Sequence, residues 1–464
     1  MTGRAGEPVA GDLVAGEPRA GEPRVGELRA GAARTDITPA DLRGLDAMTG
    51  GFTGVHDALF CRAVVVDDGV RSIAVVSLDL LEVGSSGDLR SRIERELGIG
   101  SQSILIAASH SHTAPRVGRT PAGGLSRPPT LESLAYTAVV FDAIVATVRE
   151  AQSRLQSASL GFGRGRVDVN VNRDELRDSE WMLGQNPDGA SDKTLRVIAF
   201  RAHDGSPIAT LACYAVHPTV SLGTTLLGAD LAGAAAAAAE SELGGVVLWL
   251  PGSIGDQAPR LGLEHRGDGF APGAAEVFGW VDALGREVAE QIVGTTRQIS
   301  SWQSEARLGG SEVAVPCAAR RGSGLKADMT QDDVAGVDVR LTLLCVGDVA
   351  LVGVGGEVTT PAAELITSAS PRANTVLVSI ANERIGYLAD DDAFARGTFA
   401  ARGCPVQPGW DTAVARALAA QFAAADEATE PATTTEPATA TATEREPATA
   451  TEPTTATEPA VGRP

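Results

Sequence analysis

Short runs of apolar, often β-branched residues alternate along this chain with stretches whose apolar positions recur at helical spacing. The pattern predicts strands at residues 72–79, 103–108, 164–173, 195–200, 207–216, 246–250, 349–354 and 375–380, and helices at residues 88–97, 131–155 and 277–293. Residues 195–216 are predicted to form a hairpin around Asp204 and Gly205. Because strands and helices interleave, the predicted class is α/β, with layered mixed β-sheets flanked by helices.

Both ends of the chain depart from this pattern. Residues 5–29 repeat a five-residue unit that reads AGEPV, AGDLV, AGEPR, AGEPR and VGELR. Residues 424–464 are rich in Thr, Glu, Pro and Ala, with eight acidic and two basic side chains. Such segments have too few large apolar side chains to bury a core. We therefore predict a disordered pentapeptide-repeat leader at residues 1–29, a folded domain at residues 30–423 and a disordered tail at residues 424–464.

Composition excludes several classes of protein. A net charge of −20 and a pI near 4.8 leave no basic surface for phosphate neutralisation, so we expect no nucleic-acid partner. The five cysteines are scattered and lack zinc-type spacing, so we expect reduced thiols. We find no uncharged apolar run long enough for a membrane span and no signal peptide. The prediction is a cytoplasmic protein without a transmembrane segment, and the sequence does not indicate an oligomeric state.

Candidate chemistry begins at the end of the strand predicted at residues 103–108. His110 and His112 follow this strand, and Pro115 closes the segment. Residues two apart on an extended chain point the same way, so both imidazoles can face one cavity. His-x-His is a common way to present two nitrogen ligands to zinc, but two histidines need further ligands from elsewhere. The alternative is a hydrogen-bonded, partly buried pair without a metal.

Polar residues also follow four other predicted strands. His217 follows residues 207–216, the loop 252–256 follows residues 246–250, Glu357 follows residues 349–354, and the segment 382–387 follows residues 375–380. In layered α/β folds, ligands bind beyond the carboxyl ends of strands. Imidazoles together with a carboxylate form the ligand set of a hydrolytic zinc centre, which leaves a position for water.

Several segments, taken together and in order, resemble the catalytic domain of the neutral, non-lysosomal ceramidases and their bacterial relatives. Residues 109–115 (SHSHTAP) are similar to the family's Thr-His-Thr-His-Ser-Gly-Pro, residues 170–173 (NVNR) to Asn-Ile-Asn-Arg, and residues 215–218 (AVHP) to Ala-Val-His-Gly. Residues 356–360 (GEVTT) are similar to Gly-Glu-Phe-Thr-Thr, and residues 382–387 (NERIGY) to Asn-x-Tyr-x-x-Tyr. The resemblance runs from residue 34 to residue 410 and implies a zinc-dependent amide hydrolase.

The resemblance also implies roles for individual residues. The implied zinc (Zn2+) ligands are His110, His217, Glu357 and Tyr387. His112 is implied to polarise the scissile carbonyl or donate a proton, and Arg173 to bind the carbonyl side of the substrate. The implied reaction is attack by metal-bound water on an amide carbonyl. Each residue has a structural alternative: a turn histidine for His217, a helix N-terminal charge for Glu357, a surface strand residue for Arg173 and a core phenol for Tyr387.

The chain departs from the family at several points. Gly252 stands where the family has its active-site serine, and Phe399 stands where it has a second active-site tyrosine. Ser253 is a candidate catalytic residue if the loop shifts by one position, and Asp256 in the same loop is a candidate for supporting a ligand. The C-terminal β-domain and the secretion signal of larger members are not recognisable, so we expect a catalytic-domain-like fold without that β-domain.

These features predict a zinc-dependent amidohydrolase whose substrate is a small or lipid-like N-acyl compound rather than long-chain ceramide. Two alternatives stay open. The same zinc site could serve an acyltransferase, cyclase, esterase or lactonase, for example in secondary metabolism. The chain could also be a catalytically inactive, metal-binding homologue, which the changes at Gly252 and Phe399 make conceivable.

Overall fold

The computed structural model of the protein describes residues 26–48, 50–118, 129–261, 273–320 and 336–427. The strands are β1 (Gly26–Glu27), β2 (Arg29–Asp36), β3 (Gly54–Val55), β4 (Phe60–Asp67), β5 (Ser72–Leu78), β6 (Ile104–Ala108), β7 (Gln156–Arg166), β8 (Asn170–Arg177), β9 (Glu180–Asn186), β10 (Thr194–Ala202), β11 (Pro207–Tyr214), β12 (Leu226–Leu227), β13 (Val246–Pro251), β14 (Gln257–Pro259), β15 (Trp302–Gln303), β16 (Glu305–Ala306), β17 (Leu308–Ala318), β18 (Gly336–Val346), β19 (Val349–Val354), β20 (Glu357–Val358), β21 (Asn374–Val378) and β22 (Tyr387–Leu388). The helices are α1 (Gly87–Leu97), α2 (Leu131–Ser153), α3 (Asp230–Leu243), α4 (Ala274–Arg297), α5 (Thr360–Ser368), α6 (Asp391–Arg396), α7 (Phe399–Arg402) and α8 (Trp410–Glu427).

Two mixed sheets form the centre of the fold. The larger has the order β13-β11-β10-β7-β2-β4-β5-β6, with β15 paired to β7, and its β5–β6 and β11–β13 pairs are parallel. The smaller has the order β17-β18-β19-β21, and its β19–β21 pair is parallel. The predicted α/β class with layered mixed sheets is confirmed.

Alternation along the strands explains the layers. Val64 and Val66 of β4 lie in a core cluster that also contains Leu344 and Leu351 from the smaller sheet, so the two sheets pack face to face. The intervening residue Val65 points the other way, into a cluster with α1 and α2. Helices α3 and α4 cover another part of the larger sheet, and α5 and α8 cover the outer face of the smaller one. The result is a helix–sheet–sheet–helix sandwich.

The prediction of a single strand at residues 164–173 is wrong. Its first residues belong to β7 of the larger sheet, and its last residues belong to β8, which pairs with β9 and β14 in a separate three-stranded sheet. Period-two alternation continues across the break at residues 167–169, so the pattern alone could not reveal that the chain changes sheets there.

The predicted domain limits differ slightly from the limits of regular structure. Strands begin at Gly26, and Leu28 is fully buried between the two sheets, because its side chain is part of their shared core. Helix α8 continues to Glu427. Residues 1–25 and 428–464, which contain most of the predicted leader and tail, lie outside the described residues.

Helix α2 is the one described helix long and apolar enough to cross a membrane by length and composition, although we expected no such segment. Its residues Tyr136, Val140 and Ile144 pack in the core cluster beneath β4 and β5. Core helices often have the same length and composition, so this helix is weak evidence for a membrane span.

Candidate metal centre

The ends of strands from both sheets bring the predicted site residues together. His110 follows β6 and His217 follows β11 of the larger sheet, and Glu357 follows β19 of the smaller sheet. Strands β20 and β22 pair in parallel with Glu357 directly opposite Tyr387. The predicted convergence at the carboxyl ends of strands is therefore present in the structure.

His110 reaches the site through a backbone turn and not through an extended strand. Strand β6 ends at Ala108, and His110 has a φ of 70°, in the left-handed region that non-glycine residues rarely adopt. Its N–H donates to the carbonyl oxygen of Leu80 at 3.0 Å, and its Nδ1 donates to that of Leu81 at 2.7 Å. These bonds fix the ring and leave Nε2 for the site.

His217 is held in the same manner by the loop that contains Asp256. Its Nδ1 lies 2.6 Å from the carbonyl oxygen of Ile254 and 3.1 Å from that of Gln257. Its Nε2 lies 3.0 Å from Oε2 of Glu357. A backbone carbonyl on one ring nitrogen fixes the tautomer, so the other nitrogen is the one available to a metal.

Three buried imidazoles cluster together, and two of them, His110 and His217, lie next to Glu357. Nitrogen atoms of His110, His112 and His217 lie within 4.8 Å of one another, and Oε2 of Glu357 lies 3.6 Å from Nε2 of His110. Among the described residues, Nε2 of His110 and both ring nitrogens of His112 have no hydrogen-bond partner. Buried polar atoms are rarely left unpaired, so these ring nitrogens are candidates to bind a metal ion.

The protonation states suit a cation. Burial lowers the pKa of His217 to about 3, helped by the positive charge of Arg173. Burial and the neighbouring histidines also hold the pKa of His112 well below its usual value. Burial opposes ionisation of Glu357, but the charge of Arg384 outweighs it, so the pKa of Glu357 is well below its usual value. Neutral imidazoles and an ionised carboxylate are the forms that bind metals.

Tyr387 and Arg173 form one wall of the site. The Tyr387 ring lies 6.5 Å from that of His217 and nearly parallel to it, and the guanidinium carbon of Arg173 lies 5.4 Å from the centre of the Tyr387 ring. Burial raises the pKa of Tyr387 to about 12 even with Arg173 and Arg384 nearby, so without a metal ion the phenol is neutral. Arg173 is buried and donates from Nη2 to the carbonyl oxygen of Gly255 at 2.8 Å.

Phe399 lies beside Tyr387 and Arg173. Its ring lies 5.6 Å from that of Tyr387 and perpendicular to it, and Arg173 lies 5.8 Å from its centre. Phe399 therefore adds an apolar edge beside these two residues where a tyrosine would add a hydroxyl.

The structure does not bring Ser253 to the histidines. Its hydroxyl lies 3.4 Å from that of Thr360, and Ser253 lines a separate cavity with Cys213, Tyr214 and Glu364 that none of the three site histidines lines. A Cβ added at Gly252 would lie 3.1 Å from a backbone carbon of Tyr214, so the backbone there is tightly packed. The loop does not make the one-residue shift that a role for Ser253 as a nucleophile requires.

Asp256 forms hydrogen bonds with Arg173 and Thr360, which flank the site. Its Oδ1 accepts hydrogen bonds from the backbone N–H of Thr360 at 3.0 Å and from the Thr360 hydroxyl at 2.9 Å, at the start of α5. Its carbonyl oxygen accepts from the N–H of Arg173 at 2.9 Å. Asp256 thus connects Arg173 to the segment that follows Glu357, and its role in supporting a ligand stays a prediction.

We expect Asp256→Asn to change the pH dependence of stability. Burial raises the pKa of Asp256 to about 7 in the folded protein. Protonated Asp256 therefore contributes to the stability of the folded state, and this contribution is complete at pH values below the unfolded pKa. It is lost as the pH rises through about 7. The variant lacks this titration. Relative to the wild type, it should therefore become more stable by roughly 2–4 kcal/mol between pH 4 and pH 8.

Urea unfolding of the metal-free proteins at several pH values measures this change. Asp282→Asn, at an exposed position of α4, is the matched control and should follow the wild type. A difference between Asp256→Asn and the wild type that stays constant with pH would contradict the assignment.

Gly255 is packed against the backbone that carries Glu357. A Cβ added there would lie 2.6 Å from the carbonyl oxygen of Glu357 and 2.8 Å from the nitrogen of Thr359. Backbone atoms cannot rotate away, so we expect Gly255→Ala to destabilise the protein by about 1–3 kcal/mol. Urea unfolding measures this effect.

Gly279 provides the control for that substitution. It lies within α4, and a Cβ added there meets no atom within 4 Å. Alanine at this position should be neutral or stabilising by up to about 1 kcal/mol. Equal unfolding curves for the two alanine variants would show that the Gly255 contact is unimportant.

Sequence analysis missed two charged residues beside the site, Arg384 and Glu82. Arg384 donates from Nε to Oε1 of Glu357 at 2.7 Å and from Nη1 to Oε2 of Glu82 at 2.9 Å. Both are buried. A signal was present for each: Glu82 is an acidic residue inside a long apolar run, and Arg384 replaces the first tyrosine of the Asn-x-Tyr-x-x-Tyr pattern.

Comparison with known proteins agrees with this geometry. The family model described as neutral/alkaline non-lysosomal ceramidase, N-terminal, matches residues 29–252, which include His110, His112, Arg173 and His217. The neutral ceramidase of Pseudomonas aeruginosa is 24% identical over 246 residues. The predicted resemblance to the neutral ceramidases is confirmed.

The likeness to this ceramidase extends further in structure than in sequence. The sequence alignment covers 48% of this chain but only 35% of the Pseudomonas protein, about a third of its length. The crystal structure of the Pseudomonas neutral ceramidase matches with a TM-score of 0.71 at 18% identity, over 86% of this chain and 75% of that one. A ceramidase complexed with C2 matches with a TM-score of 0.70 at 19% identity and the same coverage. The predicted neutral-ceramidase-like fold is therefore confirmed.

Proposed function

We propose that this protein is a zinc-dependent amidohydrolase that cleaves a small or lipid-like N-acyl substrate. The observation that carries the proposal is the buried cluster of His110, His112 and His217, in which Oε2 of Glu357 lies 3.0 Å from Nε2 of His217 and 3.6 Å from Nε2 of His110. The likeness to neutral ceramidases supports amide hydrolysis as the reaction class, and the donor set supports zinc as the metal.

The donor set fits zinc. Nε2 of His110, Nε2 of His217 and Oε2 of Glu357 converge, and backbone carbonyls hold the far side of both rings. Two imidazoles and a carboxylate are a known ligand set of catalytic zinc. Tyr387 is the proposed fourth ligand, and zinc in such a site supplies Lewis acidity and lowers the pKa of water towards neutrality.

The remaining residues of the site bind and orient the substrate. Arg173 is held by Gly255 and keeps its charge, so it can bind the carbonyl oxygen of an amide and stabilise the negative charge that develops there. His112 is neutral at ordinary pH, so one ring nitrogen can donate to the same oxygen or to the leaving amine. Asp256 holds the backbone of Arg173, and Phe399 favours an apolar group beside it.

The absence of a hydroxyl at Gly252 leaves catalysis to the histidines, Arg173 and water. This argues for hydrolysis over transfer through an acyl-serine. A cytoplasmic location stays a prediction.

Metal analysis and substrate trials test the proposal. The purified protein should contain about one zinc per chain. It should hydrolyse members of a panel of N-acyl amides with short and long acyl chains, lose activity with a chelator and regain it with zinc. Turnover of esters or lactones alone would favour the alternative reactions, and zinc without any turnover would favour an inactive homologue. A purified protein that contains no zinc would contradict the proposal.

A further inference from the structure

Arg384 holds one oxygen of Glu357. Its Nε lies 2.7 Å and its Nη2 lies 2.6 Å from Oε1 of Glu357, so two N–H groups converge on the same atom. Its Nη1 lies 2.9 Å from Oε2 of Glu82. The side chains of Arg384 and Glu82 are 8% and 2% exposed, so water competes little for these contacts. A guanidinium held by two carboxylates is fixed in direction as well as in place.

This contact leaves only Oε2 of Glu357 to face the histidines. Oε2 lies 3.0 Å from Nε2 of His217 and 3.6 Å from Nε2 of His110. Turning the carboxylate to present both oxygens would break two charge-assisted hydrogen bonds in a buried place, where such bonds are strong. The protein therefore offers a metal one carboxylate oxygen and withholds the other.

The three charged groups also set the charge of the site. Glu82, Glu357 and Arg384 together carry one net negative charge, in addition to the positive charge of Arg173 on the other side of the site. Arg384 stands where the Asn-x-Tyr-x-x-Tyr pattern of the family has its first tyrosine. A neutral phenol cannot balance the charge of a carboxylate, whereas a guanidinium can. The arrangement is a property of this chain's own residues.

We propose that Arg384, held by Glu82, is a positioning residue that restricts Glu357 to binding the metal through a single oxygen. This inference rests on the proposed metal site. A carboxylate with one free oxygen keeps the coordination number low and preserves a position for water and substrate, as catalytic zinc sites require. Glu82 contributes by balancing the charge of Arg384 and fixing its direction.

Two variants separate the contact from the charge. Glu82→Gln keeps an oxygen for Arg384 and keeps the Arg384–Glu357 contact, but removes one negative charge. The double variant Glu82→Gln/Arg384→Met removes the contact, because methionine has no N–H donor, and leaves one net negative charge on Glu357, as in the wild type. The double variant also avoids leaving Glu82 buried without its cation, which would endanger folding.

Cobalt substitution reports the coordination directly. Co2+ bound to four ligands absorbs visible light more strongly than Co2+ bound to five or six. We expect the wild type and Glu82→Gln to give strong visible bands, and the double variant to give weaker ones because Glu357 can then use both oxygens. Zinc affinity, measured by competition with a chromophoric chelator, should fall about tenfold in Glu82→Gln because the site loses negative charge.

The outcomes distinguish this inference from the proposed function. A double variant that binds cobalt with the wild-type spectrum would overturn the role of Arg384 while leaving the metal site intact. Weak bands in Glu82→Gln as well would overturn it too, because the contact with Glu357 is still present there. A wild type that binds neither cobalt nor zinc overturns the proposed function, and this inference with it.

Discussion

Replacing His217 with alanine should remove zinc from the protein, whereas replacing His112 with alanine should leave zinc bound and suppress turnover. His217 has one ring nitrogen on the carbonyl oxygens of Ile254 and Gln257 and the other 3.0 Å from Glu357, which is the arrangement of a metal ligand. Both ring nitrogens of His112 lack a hydrogen-bond partner among the described residues, so they are available to a substrate. The proposed ligand set does not include His112.

The two substitutions should lower the rate of amide hydrolysis for different reasons. Loss of the metal removes the source of the nucleophile, so we expect His217→Ala to lower kcat/KM by at least about 1000-fold. Loss of a single proton donor or polarising group lowers the rate by about 100- to 10,000-fold while binding of the metal persists. Inductively coupled plasma mass spectrometry of each variant, together with amide hydrolysis, measures both quantities.

His203 supplies the control, since it is exposed in the hairpin turn between β10 and β11. His203→Ala should retain both zinc and activity. If His112→Ala loses zinc as completely as His217→Ala, the ligands are the three histidines, and the proposed roles of Tyr387 and His112 must be exchanged.

The parts of this fold that were predictable from sequence are those with strong local patterns. Strands β5 and β13 are short, almost wholly apolar runs, and α4 has apolar residues at helical spacing. Strand β17 was not predicted, because Gly309, Gly310 and Pro316 interrupt its pattern. It forms through pairing with β18 along its whole length, which is a contact between distant residues that no local pattern specifies.

The site follows the same division. His110, His217 and Glu357 were predictable because each follows an apolar strand, and strand ends meet at one edge of a sheet. The left-handed turn at His110 was not predictable, since it depends on the carbonyl groups of Leu80 and Leu81. The contact of Arg384 with Glu82 joins residues 302 positions apart, so only the folded chain reveals it.

Replacing Arg62 with methionine should destabilise the protein by about 3–5 kcal/mol. Arg62 lies on β4 with its side chain 1% exposed, and its Nη1 lies 2.7 Å from Oδ2 of Asp79. Its Nε lies 3.2 Å from Oε1 of Glu240 on α3, whose Oε2 pairs with Arg34. Methionine fills most of the same space but leaves two buried carboxylates without the cation they share, and an uncompensated buried charge costs far more than a lost packing contact.

The pH dependence and a matched variant make this prediction specific. Burial already raises the pKa of Asp79 despite Arg62, so without the arginine the folded protein should hold a proton there at still higher pH. A group whose pKa is raised in the folded state stabilises the folded protein at pH values below its unfolded pKa, and this stabilisation is lost as pH rises. Arg62→Met should therefore lose less stability at pH 5 than at pH 8. Arg34 binds the same glutamate but is 50% exposed, so Arg34→Met should cost only about 1 kcal/mol or less. Urea unfolding of the two variants at both pH values is the measurement. An Arg62→Met protein that is no less stable than Arg34→Met would contradict the argument, because Arg62 is the buried partner of two carboxylates and Arg34 is the exposed partner of one.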